Sequence, residues 1–297
     1  MSPITALPVP ASLLGESPLW HPDEQVLYWV DIPGHTLNRW QPAGAVHTQW
    51  PLAAEPGCCA ALLGGGLLLA MRDGLWRFDV GTGRRSLLAE PPYDPAGQRF
   101  NDGKADAQGR FWVGTIDDQR LPRAALFRLA GGQLTRRADG ITVSNGLAFS
   151  PDGRTLLWAD TKAHVVYAFD LDRAEGSLSR RRVLVQFPLR ADGQPLASYG
   201  GRPDGAAMDA EGACWVAMFE GQRLLRLAPD GRILAELPLP VRCPTMPCFG
   251  GPDLKTLYIT TAREKRPADE LAAQPLAGCV LQLRVDVPGL PANLVKL

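Results

Sequence analysis

Residues 150–161 read SPDGRTLLWADT, and this stretch decides the fold. Ser-Pro-Asp-Gly is turn chemistry: proline presets its own φ, aspartate bonds its own backbone, and glycine accepts a left-handed position. Thr-Leu-Leu-Trp-Ala-Asp is a short aliphatic and aromatic run of the kind that fills strands. The same unit recurs as HPDEQVLYWVDI from His21, DAQGRFWVGT from Asp106, DAEGACWVAMF from Asp209 and GPDLKTLYITTA from Gly251, with a degenerate copy, LLGGGLLLAM, from Leu62. A second run follows each copy: TLNRW, GLWRFD, ALFRLA, VVYAFDLD, LLRLAPDG and VLQLRVD, each alternating polar and apolar positions as a strand does. The six units recur every roughly 40 to 46 residues, with one longer interval.

That period, with about four short strands per unit, predicts an all-β, six-bladed β-propeller of four-stranded blades around a central channel. No linker separates the units, so residues 1–297 form a single domain. The long interval holds LRADGQPLASYGGRP (189–203), a loop by its Gly, Pro and Ser content, and only PADELAAQPL (267–276) has the makings of a helical turn.

Lining up the units exposes a second regularity. Five residues before each turn motif stand Glu16, Asn101, Asn145, Asp204 and Met246, with Cys59 near the equivalent place in the degenerate unit. Innermost strands of a propeller line its channel, so four oxygen-bearing side chains from four blades would converge near one mouth. Oxygen donors on rigid strands suit a hard divalent cation such as calcium. Asn-Gly and Asp-Gly are also turn sequences. Glu16, however, is not a turn residue, and a second turn only a few residues ahead of each turn motif would be redundant.

The bulk composition narrows the partners. The chain has 31 basic and 31 acidic residues among its 297, and only Arg180-Arg181-Arg182 forms a basic run, which gives no electrostatic case for nucleic acid. No stretch resembles a signal peptide or a membrane span, and the six cysteines form no CxxC pair, so a cytoplasmic protein with reduced thiols is expected, a monomer or weak homo-oligomer. His21, His35, His47 and His164 are scattered, without the spacing of a zinc site, and no GxSxG elbow occurs. Cys58 and Cys59 sit in a Gly-rich stretch without the neighbouring charge that activates a thiol.

The sequence resembles the senescence-marker-protein/gluconolactonase/luciferin-regenerating-enzyme family, which includes regucalcin and bacterial sugar lactonases. The likeness rests on LGESPLW (14–20), RFNDGKADAQGRFWVGT (99–115), SNGLAFSPDGRTLLWADT (144–161), RPDGAAMDAEG (202–212) and CFGGPDLKTLYITTA (248–262). It implies a propeller with one divalent metal, calcium first and zinc, manganese, magnesium or iron as alternatives, held by Glu16, Asn145 and Asp204. It also implies substrate contacts from Arg99 and Asn101, with Asp102 supporting the site or lining the channel; Met246 by its offset, Arg202 by its place beside Asp204, and Asp117 and Asp118 after Thr115 are expected in the same supporting or channel-lining position. Some sugar-binding relatives carry a Glu shortly after the Gly-Thr of the third unit. Here Gly114-Thr115 lead into Ile-Asp-Asp-Gln, and an acidic contact would have to come from Asp117 or Asp118. The implied activity is hydrolysis of a sugar lactone (glucono-, galactono-, xylono- or arabinono-type), the cation polarising the carbonyl and Asp204 acting as general base toward water. Another lactone or ester hydrolase, or a non-catalytic calcium-binding propeller, would use the same frame.

Overall fold

Two aspartates show why the repeat folds as it does. In the third unit Asp106 Oδ1 accepts the backbone N–H groups of Gln108 (2.9 Å) and Arg110 (3.1 Å), which closes the turn, while Oδ2 accepts Trp112 Nε1 (2.8 Å). In the fifth unit Asp209 repeats the pattern on Glu211 (3.0 Å), Ala213 (2.9 Å) and Trp215 Nε1 (3.0 Å). Each Oδ2 also accepts an arginine Nε, Arg110 at 2.6 Å and Arg226 at 2.8 Å, so the buried carboxylate has a donor for every lone pair and a balancing charge, and the indole is tied to the turn that starts its strand.

The computed structural model describes residues 2–297. The strands form six separate four-stranded antiparallel sheets, the blades of a six-bladed propeller. Five blades use consecutive strands. In the sixth, the outermost strand comes from the chain's beginning: Thr5 and Ala6 pair with Gln282 and Leu281. Leu7 continues this closure, donating to Val280 O at 2.9 Å with its side chain buried. The innermost strands are Gly15–His21, Pro56–Ala61, Gln98–Ala105, Ser144–Phe149, Arg202–Met208 and Pro244–Gly250. The second strands, such as Val26–Asp31 and Thr155–Asp160, are buried along nearly their whole length, whereas the outer strand Val46–Pro51 is largely solvent-facing.

The core lies between blades. Cys58, Ala60, Leu68 and Ala70 of the second blade pack against Phe111, Val113, Ala125 and Phe127 of the third, and similar clusters fill other seams. The helix Ala268–Ala273 falls where the sequence predicts one, and the insertion 189–203 holds only a short 3-10 turn, Leu196–Ser198.

Every innermost strand breaks register once, between Glu16 and Leu19, Pro56 and Cys58, Phe100 and Gly103, Asn145 and Ala148, Pro203 and Ala206, and Pro244 and Met246. Bulges re-aim side chains and leave backbone groups free of the ladder. They fall where Glu16, Asn101, Asn145 and Asp204 stand. The Asn-Gly at 145–146 is therefore a bulge, with Gly146 left-handed (φ 60°), and Ser17 after Glu16 takes the same conformation (φ 50°). A serine there costs backbone energy. It is held in place because Cys59 N donates to Ser17 Oγ at 3.0 Å.

Candidate functional site

The bulges aim four side chains into one cavity of about 250 Å³ at one mouth of the channel, lined among others by Glu16, Arg99, Asn101, Asn145, Thr161, Arg202 and Asp204. A directional chain of hydrogen bonds orders it. Arg99 Nη1 donates to Asn101 Oδ1 (2.7 Å), and Asn101 Nδ2 donates to Asn145 Oδ1 (2.9 Å) and to Ser144 O (2.7 Å). Asn145 Nδ2 in turn donates to Thr161 Oγ1 (2.8 Å). A guanidinium can only donate, so it fixes which end of each amide points where. The chain leaves a lone pair of Asn145 Oδ1 unused, and Arg99 keeps Nε and Nη2 for a ligand, because Nη1 makes both its recorded bonds.

Glu16 and Asp204 are the cavity's carboxylates, and neither forms an ion pair within the described residues. Burial, followed by the charges of Asp204 and Asp102, holds the Glu16 carboxyl well above the usual carboxylate range. Burial raises Asp204 as well, against the opposing pull of Arg202 and Arg99. Beside them Asp102 is buried, accepting Leu147 N on Oδ2 (2.8 Å) while Oδ1 meets no donor. Neighbouring acids without an ion-pair partner among the described residues, Asp204 and Asp102 buried and Glu16 half-buried, together with the spare lone pair of Asn145 Oδ1, form a hard-oxygen donor set that a divalent cation would satisfy. The residues present therefore fit such an ion.

The remaining expected residues fall elsewhere. Asp118 is an exposed side chain paired with Arg72 (2.9 Å), outside the cavity. Asp117 is buried but spent on its own loop, accepting Gln119 N (2.9 Å) and facing Arg123 (3.5 Å). Neither lines the cavity, so the loop after Thr115 offers no carboxylate; it contributes Arg120 instead. Met246 and Cys59 stand off from the oxygen ring. They line a second, mainly apolar cavity of about 110 Å³ deeper in the channel, with Trp20, Lys104, Phe249 and the C-terminal segment Leu290–Asn293. That segment crosses the far mouth, from Gly289 beside Asp209 to Val295 beside Leu62. Lys162, Arg120 and Phe219 belong to the first cavity and carry no motif; Phe219 ends the second strand of its blade, and Arg120 and Lys162 follow the second strands of theirs.

Residues 14–263 match the SMP-30/Gluconolactonase/LRE-like region family. A Pseudomonas putida protein described as 6-deoxy-6-sulfogluconolactonase is 45% identical over 287 residues, covering 94% of this chain and 93% of that one. A Xenopus laevis regucalcin is 34% identical over 278 residues, covering 91% and 90%. Among solved structures, a calcium-binding regucalcin from Agrobacterium tumefaciens superposes with a TM-score of 0.91 at 30% identity, covering 98% of this chain and 97% of its own.

Proposed function

The chain belongs to the SMP-30/gluconolactonase/LRE-like family, and from that premise we propose that it is a divalent-metal-dependent lactonase hydrolysing a sugar lactone to its open-chain acid. One observation carries the reading. Two carboxylates without an ion-pair partner among the described residues, Asp204 buried and Glu16 half-buried, share a cavity with oriented amides and a guanidinium holding spare donors. Oxygen ligands alone would suit a calcium store, but Arg99 adds donors matched to a carbonyl or to sugar hydroxyls. The names of the lactonase and calcium-binding relatives point the same way.

Glu16, Asn145 and Asp204 would hold the ion. When bound, a divalent cation there supplies Lewis acidity to the lactone carbonyl and offsets the two carboxylates. Arg99 and Asn101 orient the lactone ring above these groups. Asp204 receives the proton released as water adds to the carbonyl carbon, and returns it to the ring oxygen as the acyl C–O bond breaks. All six cysteines are free thiols, which supports a reducing, cytoplasmic setting. No helix among the described residues is long and apolar enough to cross a membrane.

The test is a panel of glucono-, galactono-, xylono- and arabinono-lactones on metal-stripped protein, with calcium, manganese, magnesium and zinc restored in turn. Turnover that returns with metal and vanishes in Asp204→Ala is expected. Full turnover in Asp204→Ala, or none with any lactone and metal, would reject the proposal.

A further inference from the structure

Resting on the lactonase reading, we propose that the lactone carries a tetrahedral oxyanion, a phosphate ester or a sulfonate, on its exocyclic carbon, and that Arg120, Lys162 and Arg202 form its subsite. The cavity is lined by four cationic side chains, Arg99, Arg120, Lys162 and Arg202, against two carboxylates, Glu16 and Asp204; Glu220 already pairs with Arg202, which leaves Arg99, Arg120 and Lys162 without a carboxylate partner among the described residues. A metal ion would absorb the charge of those two acids. A neutral sugar lactone would then leave the cationic wall uncompensated, whereas an anionic substituent balances it.

The geometry says which part of the ligand meets that wall. Arg120 follows the second strand of the third blade, Phe111–Asp117, and Lys162 follows that of the fourth, Thr155–Asp160. Both are exposed at the cavity's rim, while Asn145 and Asp204 lie buried at its floor. A lactone whose carbonyl reaches the floor therefore extends its exocyclic carbon toward the rim. Arg120 Nη1 touches its own loop at Asp117 O (3.0 Å), and neither Arg120 nor Lys162 forms an ion pair among the described residues. The loop's two carboxylates are turned to Arg72 and Arg123, so the loop presents its cation to the cavity and withholds its acids. Arg202, on the innermost strand of the fifth blade, lines the same cavity and is held by Glu220 at 2.8 Å and by the Phe219 ring at 5.0 Å. Arg99, only 8% exposed, lines the same cavity and likewise lacks a carboxylate partner. A buried guanidinium left unpaired is costly, and a planar fork of donors matches a tetrahedral oxyanion.

The experiment compares kcat/KM for gluconolactone, its exocyclic phosphate ester and its exocyclic sulfonate on metal-restored protein. At least one anionic lactone is expected to be preferred by roughly tenfold or more, the two arms distinguishing phosphate from sulfonate. The preference should shrink toward unity in roughly 0.5 M salt. Arg120→Ala combined with Lys162→Ala should lower the anionic-to-neutral ratio by about tenfold, mainly through KM, and Arg120→Lys should retain most of it. Equal kcat/KM for neutral and anionic lactones, or a ratio unmoved by the double variant, would overturn the subsite. Calorimetric titration with gluconate and its phosphate ester separates the two readings. If no lactone is turned over, the lactonase proposal fails by itself. The subsite then stands only if the phosphorylated acid binds at least about tenfold tighter and loses that advantage in the double variant.

Discussion

Replacing Asp204 by asparagine separates a metal-holding acid from one that merely fills the channel. Asp204 is 6% exposed and forms no ion pair among the described residues, and Glu16 and Asp102 add repulsion around it. A charge withdrawn from water this far carries a penalty on the order of several kcal/mol. Arg202 and Arg99 return part of it, and so does water admitted by the 250 Å³ cavity. Asparagine keeps the shape and removes the charge, so a net gain of about 2 kcal/mol is expected in a chelator. For 297 residues the unfolding entropy is about 0.6 kcal/mol/K, which makes this a rise in Tm of about 3 °C. Calcium at 100 times its Kd should stabilise the native protein by about 2.7 kcal/mol, near 4 °C, and the variant by almost nothing. Differential scanning calorimetry of both proteins, in EDTA and in calcium, reads all four values. A variant that melts lower in EDTA and still gains Tm with calcium would refute the reasoning.

Three other outcomes rest on close packing, blade closure and a buried histidine. Gly114 faces the Ser144 side chain so closely that an added Cβ would overlap it, and Ser144 Oγ accepts Trp158 Nε1 at 2.7 Å. Gly114→Ala should therefore cost about 3 kcal/mol, near 5 °C in Tm, and a variant melting within a degree of native would show that the seam between blades three and four gives freely. Deleting residues 1–9 removes the Thr5–Ala6 pairing and the buried Leu7. Amide exchange along Leu281–Arg284 should rise at least about tenfold, while protection equal to native would mean the sixth blade does not need its closing strand. The third concerns the insertion 189–203. His164 Nδ1 donates to Pro188 O (2.9 Å), so its neutral ring accepts the Tyr199 hydroxyl on Nε2 (3.0 Å). Burial lowers the His164 pKa, helped by the charges of Arg202 and Lys162 and opposed by the Pro188 bond and Asp160. The unfolded chain takes up its proton first, so this contribution is intact above about pH 6.5 and is lost as pH falls through the folded value. Proteolysis of the insertion should be faster at about pH 5.5 than at pH 7.5, and equal rates would reject the anchor.

Much of this molecule is local and therefore legible along the chain. The turn aspartates Asp106 and Asp209 bond to residues two, four and six positions ahead, which is why Asp-Ala-x-Gly and a tryptophan recur together in the third and fifth units and mark those blades. The equal offsets of Glu16, Asn101, Asn145 and Asp204 from those turns carried enough phase to place them on equivalent strands, and all four line one cavity. Met246 has the same offset yet belongs to the other cavity, because an offset fixes the strand position but not the depth at which a bulge turns the side chain.

What only the tertiary structure decided depends on contacts between distant residues. The two-residue strand Thr5–Ala6 has no pattern of its own, and pairing with the far end of the chain gives it a role. Asp117 and Asp118 read as candidate acids until Arg123 and Arg72 claimed them. Arg120 and Lys162 carry no motif of their own, and they share one cavity only because the third and fourth blades stand side by side. Sequence spacing records the hydrogen bonds a residue makes within its own unit. The charge balance of the cavity is a sum over several blades, and it exists only once the ring is closed.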